Sequence, residues 1–399
     1  MNREREMKIY NMITPSMESF MEVHILRPVN NAITCANDDG SQKTCMINGT
    51  ERARTPSQTI NHAFRQHINE TIEYKERDFM SGFFPAVFDE ALKSLDKNDE
   101  YRKAAWNKLK KEYFKEAKLN DNMSLNTGDF FSIAEVNQIA KSFTEIFAST
   151  DDTEDKAKTK KFDKVFHEEL DKCRHSMLLY LFGRSNISKV FTKMDSAIVN
   201  AHAFSVNEYT PSLDFYTTQE EMYEQDYATH LEDREISSNV FYQYYGVSTR
   251  QLIENRLRFV EDLDNEEEVK KALKEVADIL ADTFWGYLEV FTNTGKSRRF
   301  SADYPCTVYT TISKGRIQPR TLEGAFNKPI NEDIESKATK ALVKSANDAV
   351  YGPMSMAEYS NRFYTSKYKS KPKGATILSL QQTKEEIRRF FYERFGIKD

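Results

Sequence analysis

Side chains able to do chemistry are thinly scattered along this 399-residue chain. Among its seven histidines, His62 and His67 are five apart and His167 and His175 eight apart. Neither pair has the four-residue spacing that sets two imidazoles on one helix face for a metal ion. HExxH, Walker A, GxGxxG and GxSxG motifs are all absent. Cys35, Cys45, Cys173 and Cys306 form no CxxC, and no histidine sits at zinc-ligand spacing from them. They read as free thiols, so neither a metal nor another cofactor is expected. The adjacent Asp38–Asp39 could bind a metal or serve as a base. In a stretch rich in Asn, Gly and Ser, such a pair more often turns or caps the backbone.

The segment Thr50–Arg65 carries more. Arg52 and Arg54 alternate on an extended stretch, so both side chains can point the same way. Ser57 and Gln58 follow at a helix start, where free backbone N–H groups favour an anion. Arg65 lies about two turns further on. Cations, a hydroxyl and an amide converging on a helix N-terminus suit a phosphate backbone without base readout. They also suit a helix cap with surface arginines, and local spacing leaves both open.

The formal net charge is −5, the wrong sign for a protein coated in nucleic acid. Phosphate attraction is local, however, decaying over roughly 8 Å at physiological salt. Acidic residues gather at Asp151–Asp155, Glu220–Glu235 and Glu261–Glu268, whereas Lys296–Lys328 is basic. A second basic run, Arg362, Lys367, Lys369, Lys371 and Lys373, reads as a solvated surface loop. No stretch approaches the roughly 20 apolar residues that span a bilayer. The first residues lack an apolar core of the signal-peptide kind, which predicts a cytoplasmic protein without membrane attachment.

Positioning these residues requires an α+β framework. Alternating β-formers from Phe20 to Leu26 predict a strand ending at Pro28, followed by a long loop over Asn30–Gly49. Ile60, Phe64, Ile68 and Ile72 recur every four residues and predict a helix from Ser57. Phe88–Leu181 is mostly helical. Ile133, Val136, Ile139, Phe143 and Phe147 stripe one helix, and Phe162, Val165, Phe166 and Leu170 stripe another from about Lys156 to Leu181. Ser185–Thr218 is polar around a short helical stretch at Asp195–Phe204. Ser238, Val240, Tyr242 and Tyr244 alternate in an aromatic strand. A long helix carries Leu273, Val276, Leu280, Phe284 and Leu288, and further strands are expected at Val308–Ile312 and Thr376–Leu380. Strands far apart with helical insertions suggest a small sheet flanked by helices.

Several ordered tracts carry a resemblance. Glu22-Val-His-Ile-Leu26, Asp38-Asp39, Gln42-Lys43, Arg52-Ala-Arg54, Ser57-Gln58 and Arg65 form one block. Phe182-Gly-Arg184, Met194-Asp-Ser-Ala197 and Ala201-His-Ala-Phe-Ser205 form another. Asp214-Phe-Tyr-Thr217, His230-Leu231, Glu235-Ile-Ser-Ser238 and Val240-Phe-Tyr-Gln-Tyr244 continue it, with Gly295-Lys296 and Gly324-Ala-Phe326 matching more loosely. From about residue 20 to 255 the chain resembles the backbone subunit of type I-E CRISPR Cascade complexes (CasC).

The resemblance implies an RRM-like (ferredoxin-like) palm, a largely helical finger domain and an inserted thumb. The expected divisions are residues 18–75 for the first part of the palm, 76–182 for the finger and 183–235 for the thumb. Residues 236–399 would complete the palm with a helical C-terminal part. Copies of the chain would polymerise along a CRISPR RNA together with other Cascade subunits, leaving bases free to pair with target DNA. Carried across, Lys43, Arg52, Arg54, Ser57, Gln58 and Arg65 would line the RNA groove. Gly183 and Arg184 would bind the RNA as well, at the palm–finger junction near its backbone. Lys189, Lys193 and His202 belong to the thumb region, His202 packing at its base. The chain departs from the family at Asn37 and Asn61-His62, which removes cations from the groove, at Pro56 in place of a serine, and at Glu232-Asp233 where a glycine is common. No catalytic residue is implied. The competing reading is a metal-dependent endoribonuclease using Asp38 or Asp39, as in backbone subunits of type III systems. A third is a CRISPR subunit repurposed for transposition or inhibition.

Overall fold

The computed structural model describes residues 3–114, 118, 120, 123–126, 128–170, 173, 175–184, 191, 193–219, 228–291, 304–315, 319–353, 355 and 358–397. Lys189 and the basic residues Lys296, Arg298, Arg299 and Arg316 lie outside them. After a short helix α1 (Arg3–Met12), strand β1 (Ser19–Ala32) runs through the middle of the sheet. It passes straight through Pro28, which pairs opposite Val240. Pairing on the other side stops at Leu26, whose carbonyl accepts from the Cys306 N–H. Pro28 has the same parity as Leu26, so its missing N–H faces the side where the ladder has ended. Nor is Asn30–Gly49 all loop. β2 (Thr44–Ile47) and β3 (Thr50–Thr55) form a hairpin through Asn48–Gly49, whose φ values of 48° and 79° suit an Asn-Gly turn.

Helix α2 (Ser57–Thr71) buries Ile60, Ala63, Phe64 and Ile68, as its spacing predicts. The chain then leaves for a second body. β4 (Asp78–Ser81) pairs with β5 (Asp129–Ser132) beside α3 (Phe84–Lys93), α4 (Asp99–Tyr113), α5 (Ile133–Ile146) and α6 (Lys156–Leu170). Phe88, Phe143, Phe147 and Phe162 pack together in a core separate from the palm's. The helix expected to run to Leu181 is two helices. The Ser176 hydroxyl caps a new one, α7 (Met177–Phe182), which returns Leu178, Leu179 and Leu181 to the palm core.

The helix expected at Asp195–Phe204 is instead two short strands, β6 (Ile198–Asn200) and β7 (Ala203–Ser205), both paired with the 21-residue β9 (Ala228–Ser248). The first half of β9 pairs with β8 (Ser212–Gln219) in a hairpin at the thumb position. Helices α8 (Thr249–Leu257) and α9 (Glu266–Glu289) lead to β10 (Thr307–Lys314), α10 (Ile334–Tyr351), β11 (Tyr359–Ser366), the two-residue β12 (Thr376–Ile377) and α11 (Leu380–Arg394).

The sheet order is β12-β11-β10-β1-β9-β7-β3-β2. Within it, β1–α2–β7–β9–α9–β10 traces the βαββαβ path of an RRM-like palm, with insertions. On one face Met21, Val23 and Ile25 meet α2, α7, α9 and α11. Phe64 stacks on Tyr287 with ring centroids 4.3 Å apart, and a side chain at Gly286 would strike the Phe64 ring. The opposite face, which an isolated RRM offers to bases, is closed by α10 and Phe326 over Leu26, Phe204, Tyr242 and Tyr364. No helix among the described residues is long and apolar enough to cross a membrane.

Candidate nucleic-acid interface

β3 positions the expected arginines, and burial separates their roles. Arg52 and Arg54 do share one side of the strand. Arg52 is 0% exposed, its guanidinium donating to the carbonyls of Ser205 (2.9 Å), Val206 (2.8 Å) and Phe326 (3.2 Å). Burial draws its pKa down. Arg52 therefore cannot line an RNA groove. It ties β3 to the chain after β7 and to the segment over the closed sheet face.

Arg54 is half-buried, its Nε shielded from solvent, and among the described residues its side chain makes no hydrogen bond or ion pair. Its backbone N–H donates to the Lys43 carbonyl at 2.7 Å. The register of the hairpin, Thr44 opposite Ala53, sets Lys43 opposite Arg54, so the two cations are neighbours on one face. Gln42, 2% exposed, fixes this bend: its side chain accepts from the Thr34 N–H (2.8 Å) and donates to the carbonyls of Lys43 and Arg54 (both 3.0 Å). Glu235 at the hairpin base accepts from the Gln42 N–H (3.0 Å) and from the Tyr209 hydroxyl.

At the start of α2, Pro56 stands in the capping position and offers no side-chain acceptor. His202 supplies one from the β6–β7 connection, its Nδ1 accepting the Ser57 N–H at 2.9 Å. His202 is exposed and acts as a cap brought from 145 residues away, rather than as packing. Ser57 and Gln58 lie beside it, Gln58 exposed. Asn61, where the family resemblance leads to a cation, accepts from Asn200 and from the Tyr287 hydroxyl, both at 2.8 Å. Arg65 is half-buried over the Phe182 ring, 5.3 Å from its centroid, and burial lowers its pKa.

Gly183 has φ +66°, and a Cβ there would lie 2.4 Å from the Met194 carbonyl oxygen, so only glycine fits. Arg184 is 4% exposed. It donates to both Glu135 carboxylate oxygens (2.9 and 3.1 Å) and to the Phe130 carbonyl, with its guanidinium 4.5 Å from the Phe191 ring. His175 lies 3.5 Å from both Asp78 and Glu135, and Asp78 accepts from the Ser176 N–H at 2.9 Å. This buried cluster fastens finger to palm, which corrects the expectation that Arg184 meets RNA. Lys193 is exposed and 3.8 Å from Asp195.

Asp39 accepts from the Ser41 N–H (2.9 Å) and hydroxyl (2.6 Å), which holds its carboxyl below the usual range and makes it a turn former. Asp38 is exposed. Among the described residues no group of three or more His, Cys, Asp or Glu is arranged to hold a metal ion. A cleft of about 820 Å³ between α9 and the finger side is lined by Glu268, Glu275, Asp278, Asp282 and Glu289 with Trp285. Lys75, Arg256, Lys271 and Lys384 line it too, but carboxylates outnumber them, so its net sign is wrong for phosphate.

The sequence reading missed a buried network on the closed face. Glu22 accepts from the Tyr244 hydroxyl (2.9 Å) and the Arg320 N–H (2.9 Å). His24 Nδ1 meets the Tyr242 hydroxyl at 2.9 Å, and that hydroxyl also accepts from the Leu322 N–H at 2.7 Å. Alternation in β1 was the available signal, since it puts Glu22 and His24 on one face.

The family model described as CT1975-like protein matches residues 21–390. A solved chain titled "CRISPR RNA-guided surveillance complex, pre-nicking" superposes with a TM-score of 0.74 at 18% identity, covering 93% of this chain and 100% of that one. A second, "CRISPR RNA-guided surveillance complex", gives 0.63 at 16% identity over 92% and 99%. At these identities the likeness is one of fold. No curated protein matches by sequence. With nearly its whole length covered by the family model, the chain belongs to the CT1975-like protein family.

Proposed function

We propose that this protein is a CRISPR RNA-binding backbone subunit of a type I-E-like surveillance complex in the cytoplasm. Copies would repeat along the guide spacer, hold the RNA by its phosphates and present the bases to target DNA. The observation that carries the RNA contact is the pair Lys43–Arg54. Lys43, just ahead of β2, accepts the Arg54 N–H from β3 at its carbonyl, which brings two cations together with no ion pair among the described residues, an arrangement that costs stability unless an anion lies nearby. Whole-length likeness in fold to two surveillance-complex chains supports the setting. The groove is then Lys43, Arg54, Ser57 and Gln58, with Arg65 behind, while Arg52 and Arg184 build the frame.

The deciding experiment is RNA binding by Lys43→Glu/Arg54→Glu as a function of salt. Loss of two phosphate contacts should weaken binding and reduce the slope of log K against log salt by about 1.4. Unchanged affinity and slope defeat the assignment. The role is binding and assembly. Asp38 is the loop carboxylate that a ribonuclease would have to use, because Asp39 is taken by Ser41. Complementary RNA incubated with the assembled complex and Mg²⁺ should stay intact; regular cleavage abolished by Asp38→Ala would replace this reading.

A further inference from the structure

The basic run near the C-terminus is built as a rigid surface on the other side of the sheet from α2. From Lys367 to Lys373 every second residue is lysine, and all four are exposed, while Tyr368, Ser370 and Pro372 turn inward. The backbone between them is pinned. The Tyr364 hydroxyl donates to the Ser370 carbonyl (2.6 Å), and Arg362 donates to the carbonyls of Lys373 (3.0 Å) and Gly374 (3.3 Å). From α10, Asn347 accepts the Lys373 N–H (2.8 Å), and the Tyr351 hydroxyl donates to the Lys373 carbonyl (3.2 Å). A loop whose lysines served only solubility would not need its main chain fixed from two elements.

α10 extends the same charge. Lys340 and Lys344 are exposed and one turn apart, on the stripe that continues to Asn347 and Tyr351 beneath the loop. Lys367 is neutralised by Glu335 at 2.5 Å and Lys337 by Glu332 at 3.1 Å. Lys340, Lys344, Lys369, Lys371 and Lys373 have no ion pair among the described residues, and the acid beside them is Asp348, one turn beyond Lys344. Five cations thus stand together on a protein whose net charge is −5.

From this we infer a second polyanion surface, which takes the phosphate backbone of a nucleic-acid strand other than the one at Lys43 and Arg54. Lysines recurring at every second position of a pinned, bent loop gather point charges on one surface, and ammonium groups as point charges suit phosphates without base preference. The surface lies outside the β3–α2 site, so it stands or falls separately from the proposed RNA groove.

The test uses the full chain freed of nucleic acid, with fluorescent duplex DNA, single-stranded DNA and single-stranded RNA of random sequence as probes. Lys369→Glu/Lys371→Glu/Lys373→Glu should weaken at least one probe by about tenfold or more and cut the salt slope by about two to three; the arm that responds identifies the strand. Lys270→Glu/Lys271→Glu/Lys274→Glu on α9 makes the same change in net charge on the acidic side, and should leave that probe's affinity within about twofold. Lys43→Glu/Arg54→Glu should retain duplex and single-stranded DNA binding while it weakens RNA binding, as the separate groove requires. Equal losses from the 369–373 and 270–274 triples, no loss in any arm, or polyglutamate competing as well as nucleic acid would each overturn the inference.

Discussion

The imidazole Nδ1 of His202 accepts the backbone N–H of Ser57 at 2.9 Å, so the first turn of α2 is capped from a strand connection rather than by its own sequence. Pro56 leaves the position without a side-chain acceptor. His202→Ala should therefore destabilise the protein by about 0.5–1 kcal/mol, the modest loss expected where water can replace the acceptor. Faster amide exchange at Ser57 would accompany it. A urea midpoint and exchange rate identical to the parent's would show that the contact contributes nothing.

Arg52 and Arg54 predict opposite phenotypes from the same kind of substitution. Arg52→Met takes its donor from the carbonyls of Ser205 and Phe326, whereas the Val206 carbonyl keeps the Ile330 N–H, and each stranded buried acceptor costs about 1–3 kcal/mol. A loss of at least about 2 kcal/mol, read as a lowered urea midpoint or failure to accumulate in soluble form, is expected. Arg54→Glu should stay within about 1 kcal/mol of the parent and show its effect in RNA binding. If Arg52→Met folds normally and only RNA affinity drops, the buried assignment of Arg52 is wrong.

That pair also marks how far the sequence could be read. Helices whose apolar stripes run for several turns, α2, α5 and α9, are legible because periodicity over that length has one interpretation. β6 and β7 are three residues each, and Ala197, Ile198, Ala201 and Phe204 fall at helix-like intervals. Only pairing with β9 decides against a helix, and that partner lies some 40 residues downstream. Arg52 and Arg54 look alike in an extended segment. Their difference comes from carbonyls 153, 154 and 274 residues away, which no local pattern encodes. The ordered tracts placed both arginines in one group, correct as to strand and wrong as to surface.

His24 sets an acid limit on the palm. It is 2% exposed, and burial pushes its pKa from the ordinary 6.5 down to about 3. The folded imidazole stays neutral while the unfolded one takes a proton, so stability should fall as pH drops from 6.5 towards 3. Glu22 works the other way: burial raises its pKa, so the fold holds that proton more tightly than the unfolded chain and gains stability as pH falls through the raised value. Comparing His24→Phe with the parent isolates the histidine. The parent should lose about 2 kcal/mol more than the variant between pH 6.5 and about pH 5. Parallel urea midpoints across that window would mean His24 protonates without cost.

The hairpin of β8 and β9 carries a feature that a free monomer has no use for. Leu213 and Phe215 are 58% and 66% exposed and, two residues apart on β8, point to the same side. Their cross-strand neighbours are Glu235 and Asp233, which give them no apolar cover. Single exposed apolar residues are ordinary, but two aligned on a projecting ribbon form a contact strip. If copies of the chain repeat along RNA, this strip is where one copy would lie across the next. Leu213→Ser/Phe215→Ser should leave the urea midpoint within about 0.5 kcal/mol of the parent, because both side chains stand mostly exposed among the described residues. In sedimentation with RNA the same variant should give shorter assemblies that dissociate at lower salt. Full-length particles from the double variant would place the subunit contact elsewhere on the fold.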